Sequence, residues 1–475
     1  MSDGLAYLSA REALARYARR ELSPVELTRA LLERAERLRG SLNATTAIHA
    51  EQALEAARAS EERYRRGTAR ALEGVPVAIK EETAVAGWRR TIGSWLCDEV
   101  PEHNHPLIDK LQAAGAVLHL QTTNPEFCVI GQTWSARYGV TLNPWNPRYT
   151  CGGSSGGSGV ALAAGLAPLA SGSDMGGSIR IPAAQCGVYG FKPPFGRLAS
   201  TPGEELFAFT VEGPMARTLE DLVLMQNVIA GPHPASYTGM PYTPLPDHGG
   251  ELKGTRIAVA FTTGSPALCP DTRANLERAV AALEAEGASA EAVELNWDNA
   301  ELAEVLIEAI FGIYFDEYLE DFDAAQLARA TPYLKWLIQR FRGRRNSILK
   351  AAALASRLHA QLQAKVWGRG FRVLICPTVF TTTVPADLDP SVARQLDIEG
   401  LKVDSYLGWV GTPAFNLLSR YPALAVPTGR AASGVPTSMQ IVGPPFADAA
   451  VFAVGWHHAA AGSELYRSVF PGAAP

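Results

Sequence analysis

Several features that mark other protein classes are scarce or missing from this 475-residue chain. Its six cysteines, Cys97, Cys128, Cys151, Cys186, Cys269 and Cys376, form no CxxC and no paired spacing. That scatter argues against a zinc knuckle and against a disulfide framework, and buried free thiols are expected instead. No stretch approaches the ~18 consecutive apolar residues of a membrane span, and residues 1–23 lack the apolar core of a secretory signal. Basic blocks are missing too: 43 Lys and Arg against 48 Asp and Glu leave a net charge of −5, a poor footprint for nucleic acid. A soluble cytoplasmic protein with no nucleic-acid or membrane partner is expected. Lysine itself is scarce, since only eight of the 43 basic residues are Lys. A lysine in an apolar setting therefore stands out.

What is present is ordinary globular composition, with 47% hydrophobic and 19% charged residues. Ser23, Pro24 and Glu26 make a capping box, Leu27, Leu31, Ala35 and Leu38 follow at helical spacing, and Gly40 supplies a stop. A second helix is expected over about residues 50–66. Apolar runs at Gly74–Lys80, Val117–Leu120, Arg256–Phe261, Val373–Cys376, Ala423–Pro427 and Ser438–Val442 read as strands. Strands alternating with helices argue for an α/β fold with a mostly buried sheet. No repeat or low-complexity segment interrupts it, so one large domain over residues 1–475 is expected. It would have an N-terminal helical segment, 5–66, and a more variable helical region, 300–367. That region carries Phe311, Tyr314, Phe315, Tyr318, Tyr333, Trp336 and Phe341. They read either as helix core or as an apolar wall over a substrate pocket.

The most informative stretch runs from Thr150 through Cys151-Gly152-Gly153-Ser154-Ser155-Gly156-Gly157-Ser158-Gly159 and resumes at Ser171-Gly172-Ser173-Asp174-Met175-Gly176-Gly177-Ser178-Ile179-Arg180. Residues this small let backbone amides point at a ligand that is, or becomes, anionic. A phosphate loop would need GxxxxGK[ST] and a dinucleotide fingerprint GxGxxG between strand and helix, and neither is present. Gly153-Ser154-Ser155-Gly156-Gly157 formally meets the nucleophile-elbow pattern, with Ser155 as nucleophile and His359, His457 or His458 as partner. An elbow needs a strand directly before it, whereas Asn143-Pro144-Trp145-Asn146-Pro147 reads as a loop.

Together with Ile181-Pro182-Ala183, Cys186-Gly187 and Gly190-Phe191-Lys192-Pro193, these blocks resemble the signature of the amidase signature family. Gly74–Lys80, Thr123-Asn124-Pro125-Glu126-Phe127, Asn143–Pro147 and Gly434–Gly443 agree with it. The resemblance implies a twisted mixed β-sheet covered by helices on both faces, with the signature core over residues 70–200. It also implies a Ser-Ser-Lys triad: Ser178 as nucleophile, Ser154 as bridging serine on a cis peptide, and Lys80 as base. The backbone N–H groups of Met175, Gly176, Gly177 and Ser178 would form the oxyanion hole. Asp174 and Arg180 fit a structural pair under the loop, and Cys186 a packed thiol.

The chemistry is intelligible from the residues as well. A serine needs a base to attack a carbonyl, and Lys80 can serve only as a neutral amine, with its pKa brought from about 10.4 toward ~7–8. Burial at the end of an apolar strand pushes that way, provided Glu81 and Glu82 face elsewhere, which is the expectation. Arg could not substitute, because its guanidinium stays charged. No metal or organic cofactor is called for. Two functions follow from the resemblance. One is a stand-alone hydrolase, monomeric or homodimeric, acting on small amides, with carbamates (urethanes) and esters adjacent to it; the aromatics from Phe311 to Phe341 add an expectation of bulky apolar or aryl substrates. The other is the amidase-like subunit of a tRNA-dependent amidotransferase, a branch that usually carries a Tyr-Asp-Gly segment. None occurs between Glu301 and Trp367, which favours the hydrolase.

Overall fold

The structure is a computed structural model, and it describes residues 3–201, 203, 205, 208–311, 322–344 and 347–461. Ser23 caps the first long helix as its sequence implies: Ser23 Oγ accepts the Val25 N–H at 3.0 Å, and Glu26 Oε2 accepts the Ser23 N–H at 2.8 Å. The helix runs Pro24–Leu42, past Gly40, and ends on Asn43 in left-handed backbone at φ 49. The stop is tertiary. The Asn43 amide donates to the carbonyls of Tyr138 and Val140, which holds the chain at the turn. Ala50–Arg66 forms the second helix, closed by Gly67 at φ 67.

Among the described residues eleven strands make one mixed sheet. Across it lie Thr45–Ile48, Val117–Thr122, Pro76–Lys80, Leu169–Asp174, Val211–Ala216, Tyr189–Lys192, Ala423–Arg430, Pro436–Val442, Val373–Pro377, Arg256–Val259 and Ser289–Ala292. Pro76–Lys80 pairs parallel with both of its neighbours, whereas the run from Leu169–Asp174 to Val373–Pro377 is antiparallel at every step. Alternate residues of one strand serve opposite faces. Val77 and Ile79 pack with Leu107, Leu219, Leu276 and Val451 from helices on one side. Ala78 packs with Val160, Ala161, Ile179 and Ala183 on the other. The single α/β domain with helices on both faces is thus as expected.

The central strand Leu169–Asp174 escapes sequence reading, because Ala-Ser-Gly-Ser has little β propensity. It is buried throughout, and its small residues admit close neighbours: a Cβ on Gly172 would lie 2.9 Å from Ser155 Oγ and 3.0 Å from Ile179. In the 300–367 region the described aromatics are core. Tyr333 and Phe341 are buried in the large cluster with Leu334, Leu337 and Leu354, Phe311 stacks obliquely on Phe341, and Trp336 packs at the cluster's edge. Tyr314, Phe315 and Tyr318 lie outside the described residues. The region is anchored to the signature core, since Glu126 N–H donates to Tyr333 Oη at 2.7 Å and the Glu126 carboxylate accepts from Thr331 N–H, also at 2.7 Å.

Candidate active site

Lys80 ends the Pro76–Lys80 strand and is completely buried. Ser171 Oγ accepts its backbone N–H at 3.0 Å, which fixes the strand end against its neighbour. The ammonium nitrogen has three acceptors: Ser154 Oγ at 2.7 Å, Ser173 Oγ at 2.8 Å and Glu82 Oε1 at 2.9 Å. An ammonium has three N–H donors, so all three are used.

Ser154 sits on a tight loop. The Gly153–Ser154 peptide bond is cis, in agreement with the resemblance. Gly153 is required here, because a Cβ would strike the Gln132 carbonyl. Thr133 Oγ1 donates to Gly152 O at 2.8 Å, and the Asn143 amide donates to Thr150 O at 2.9 Å and Gln185 O at 3.0 Å. The Asn143–Pro147 loop thereby ties the first glycine-serine segment to the Arg180–Cys186 helix. Ser155 is the N-cap of the Gly156–Ala163 helix, and its hydroxyl donates to Ser173 O at 3.3 Å. No strand leads into it. His359 pairs with Tyr421, His457 with Glu286 and His458 with the Pro427 carbonyl. The elbow reading therefore falls, since its serine and its three histidines have other, separate partners.

Ser178 lies on the turn between Asp174 and the Arg180–Cys186 helix, and it lines a narrow cavity of about 20 Å³ with Met175, Gly176, Ile307, Tyr406 and Leu407. Ser154 lines a larger cavity of about 310 Å³, walled by Ile92, Phe127, Phe195, Leu198, Glu82 and Glu212. Cys128 and Met175 belong to both. Among the described residues no hydrogen bond joins the Ser178 hydroxyl to Ser154. Such links commonly tighten only with substrate bound.

Asp174 holds the turn. Its Oδ1 accepts the Gly177 N–H at 2.9 Å, and it pairs with Arg180, both side chains being wholly buried. Burial works against this carboxylate, yet Arg180 and Asn416 outweigh it and bring the group down to about 2. The structural role expected of Asp174 and Arg180 holds. Gly177 takes φ +125, and a Cβ there would collide with Thr412. Of the four expected oxyanion donors, Gly177 N–H is thus engaged by Asp174. The N–H groups of Met175, Gly176 and Ser178 have no acceptor among the described residues. Cys186 is packed, its Sγ 3.4 Å from the Cys151 carbonyl.

One expectation is corrected. Glu81 does face away, its Oε1 accepting the Thr91 N–H at 2.5 Å, but Glu82 turns onto Lys80. Burial opposes the charged amine, while the Cys128 sulfur and the carboxylates of Glu82 and Glu212 outweigh it and hold Lys80 above its ordinary value. Sequence reading also missed Ser173 and Cys128. Ser173 carried a signal, since Ser171 and Ser173 alternate along one strand and both reach Lys80. Cys128 reaches the site through two successive left-handed residues, Phe127 at φ 49 and Cys128 at φ 59. Such backbone persists mainly at functional sites, and no periodicity announces it.

Known proteins share this architecture. The model of the amidase family matches residues 26–452. A glutamyl-tRNA(Gln) amidotransferase subunit from Chloroflexus aggregans is 34% identical over 477 residues, covering 95% of this chain and 96% of that protein. Its counterpart from Ralstonia pickettii is 32% identical over 493 residues, covering 94% and 97%. A bacterial aryl acylamidase of the amidase signature enzymes superposes with a TM-score of 0.89 at 26% identity, covering 99% of both chains. For 6-aminohexanoate cyclic dimer hydrolase with its substrate the TM-score is 0.83 at 25% identity, covering 96% of this chain and 97% of that one. A family match across nearly the whole chain, on a fold shared end to end, means that the chain belongs to the amidase family of carbon–nitrogen hydrolases.

Proposed function

We propose that this member is a stand-alone amide hydrolase that works through a Ser178 acyl-enzyme. The observation that carries the reading is the closed 2.7 Å contact between buried Lys80 and Ser154, with Ser178 on the adjoining cavity wall. Neutral Lys80 takes the Ser154 proton, Ser154 takes that of Ser178, and the Ser178 Oγ forms a bond to the carbonyl carbon. The oxyanion is met by the N–H groups of Met175, Gly176 and Ser178; one such donor is worth ~10²–10³ in rate. As the C–N bond breaks, Ser154 hands its proton to the departing amine. Water then attacks the ester, giving its proton to the same relay, and the acid leaves.

The 310 Å³ cavity beside Ser154, with walls from Ile92, Phe127, Met175, Phe195 and Leu198, fits an aryl or bulky apolar amine half. Aryl amides and aryl carbamates are therefore the preferred substrates. The similarity to an aryl acylamidase supports this choice, whereas the described 300–367 aromatics, packed in the core, do not. The test is a panel of aliphatic amides, aryl amides, carbamates, esters and glutamine on the purified protein. Aryl substrates should lead, and turnover no better than that of acetamide or glutamine would reject the preference.

The relatives of 30–34% identity favour a second reading, the amidotransferase subunit. Glutamine hydrolysis that exceeds every aryl substrate in the same panel would select it.

A further inference from the structure

The contact between Lys80 and Glu82 asks for a role. A neutral amine has two N–H donors and one lone pair. On Lys80, Ser173 Oγ and Glu82 Oε1 take two of the three directions, which leaves the third for Ser154 Oγ. Glu82 is itself held ionised: burial opposes its charge, and the Lys80 ammonium at 2.9 Å outweighs it and brings the carboxylate below its ordinary value. Its side chain is only 15% exposed.

We propose that Glu82 is the positioning residue of the relay: its carboxylate orients the Lys80 amine toward Ser154 and balances the ammonium formed when Ser154 gives up its proton. This rests on the Ser178-Ser154-Lys80 reading above. The step balances. Resting Lys80 loses one proton to water through the cavity. In the reaction the Ser154 O–H bond breaks, a Lys80 N–H bond forms, and the new positive charge arises 2.9 Å from a fixed negative one. That proton returns to Ser154 after the amine has left. The carboxylate does for lysine what the buried aspartate does for histidine in a Ser-His-Asp triad, orienting the base and stabilising its cation. The cost is that deprotonation of Lys80 moves to alkaline pH. The groups facing this pair are Cys128, Glu212, Arg90, whose Nε donates to the Glu82 carbonyl, and His105 across the cavity.

The test is the pH dependence of kcat/KM for the wild type, Glu82→Gln and Glu82→Asp. The wild-type acid limb should lie above neutrality. In Glu82→Gln it should move down by about 1–3 pH units, because an opposite charge in contact is lost. The plateau should also fall about 10- to 100-fold, part of the ~10²–10⁴ that a positioned base supplies. Glu82→Asp should return the limb toward the wild type. An unmoved limb in Glu82→Gln overturns the proposal, since a merely structural role would lower the plateau alone. If Glu82→Gln does not fold, the wild-type profile decides: a limb at or below neutrality overturns it. Lys80→Ala separates the two readings. Near-normal activity in Lys80→Ala removes the relay itself, whereas loss of activity there with an unmoved Glu82→Gln limb removes only the role of Glu82.

Discussion

Asp174 and Arg180 meet side-on, Oδ1 accepting Nη2 at 2.9 Å and Oδ2 accepting Nε at 3.0 Å, with neither side chain exposed. The same carboxylate takes the Gly177 N–H, and the guanidinium also donates to Asn416, Gln440 and the Thr412 carbonyl. One ion pair thus ties the Ser178 turn to two distant segments.

Breaking that pair should be costly. Asp174→Ala leaves a buried guanidinium without its counter-charge, and a loss of about 3–5 kcal/mol is expected, read from urea denaturation. Arg180→Lys should not rescue the turn, because an ammonium cannot repeat the fork geometry. A stability change below ~1 kcal/mol in Asp174→Ala would contradict the buried-pair account.

The pH dependence of stability follows with its sign. Asp174 sits at about 2 when folded, against about 3.9 unfolded. The unfolded state therefore binds the proton first, so this stabilisation is present above pH ~4 and is lost as pH falls through ~2. Its size is roughly 2–3 kcal/mol. Lys192 acts at the other end. Burial and Arg180 bring it down to about 7, so between pH ~7 and ~10 the unfolded chain holds a proton that the folded one lacks, and stability rises with pH there. Subtracting the Lys192→Met profile from the wild type should expose that rise, and a flat difference would reject the assignment.

For the relay, Ser178→Ala should abolish turnover, and Ser154→Ala and Lys80→Ala should each lose ~10²–10⁴ in kcat/KM. A serine-directed fluorophosphonate should label Ser178. Labelling of Ser155 instead would contradict the geometry in which its hydroxyl is spent on the Ser173 carbonyl.

Gly177→Ala tests the turn independently. The new methyl group meets Thr412 at a backbone angle that L residues rarely adopt, displacing the Met175–Ser178 amides. Activity should fall by ~10²–10³ and fluorophosphonate labelling should slow in parallel, while urea denaturation still shows a folded protein. Unchanged kinetics would mean that these amides do not face the reaction.

Much of the frame was readable from the chain. The capping box at Ser23, the apolar run ending in Lys80 and the glycine-serine blocks are local patterns, set by the spacing of a few residues. The strand Leu169–Asp174 was not readable, because its Ser and Gly residues suit the tight space between neighbours rather than any strand propensity. The end of the first helix at Asn43 depended on carbonyls about a hundred positions away.

The amino-acid sequence by itself pointed to the family and marked out Lys80, Ser154 and Ser178 as candidates, since motif spacing and residue type are local. The tertiary structure alone decided what surrounds the lysine. Glu82 follows Lys80 by two positions, and nothing local fixes which way it turns. In the folded chain it turns onto Lys80 at 2.9 Å, and so places the expected base in a buried ion pair.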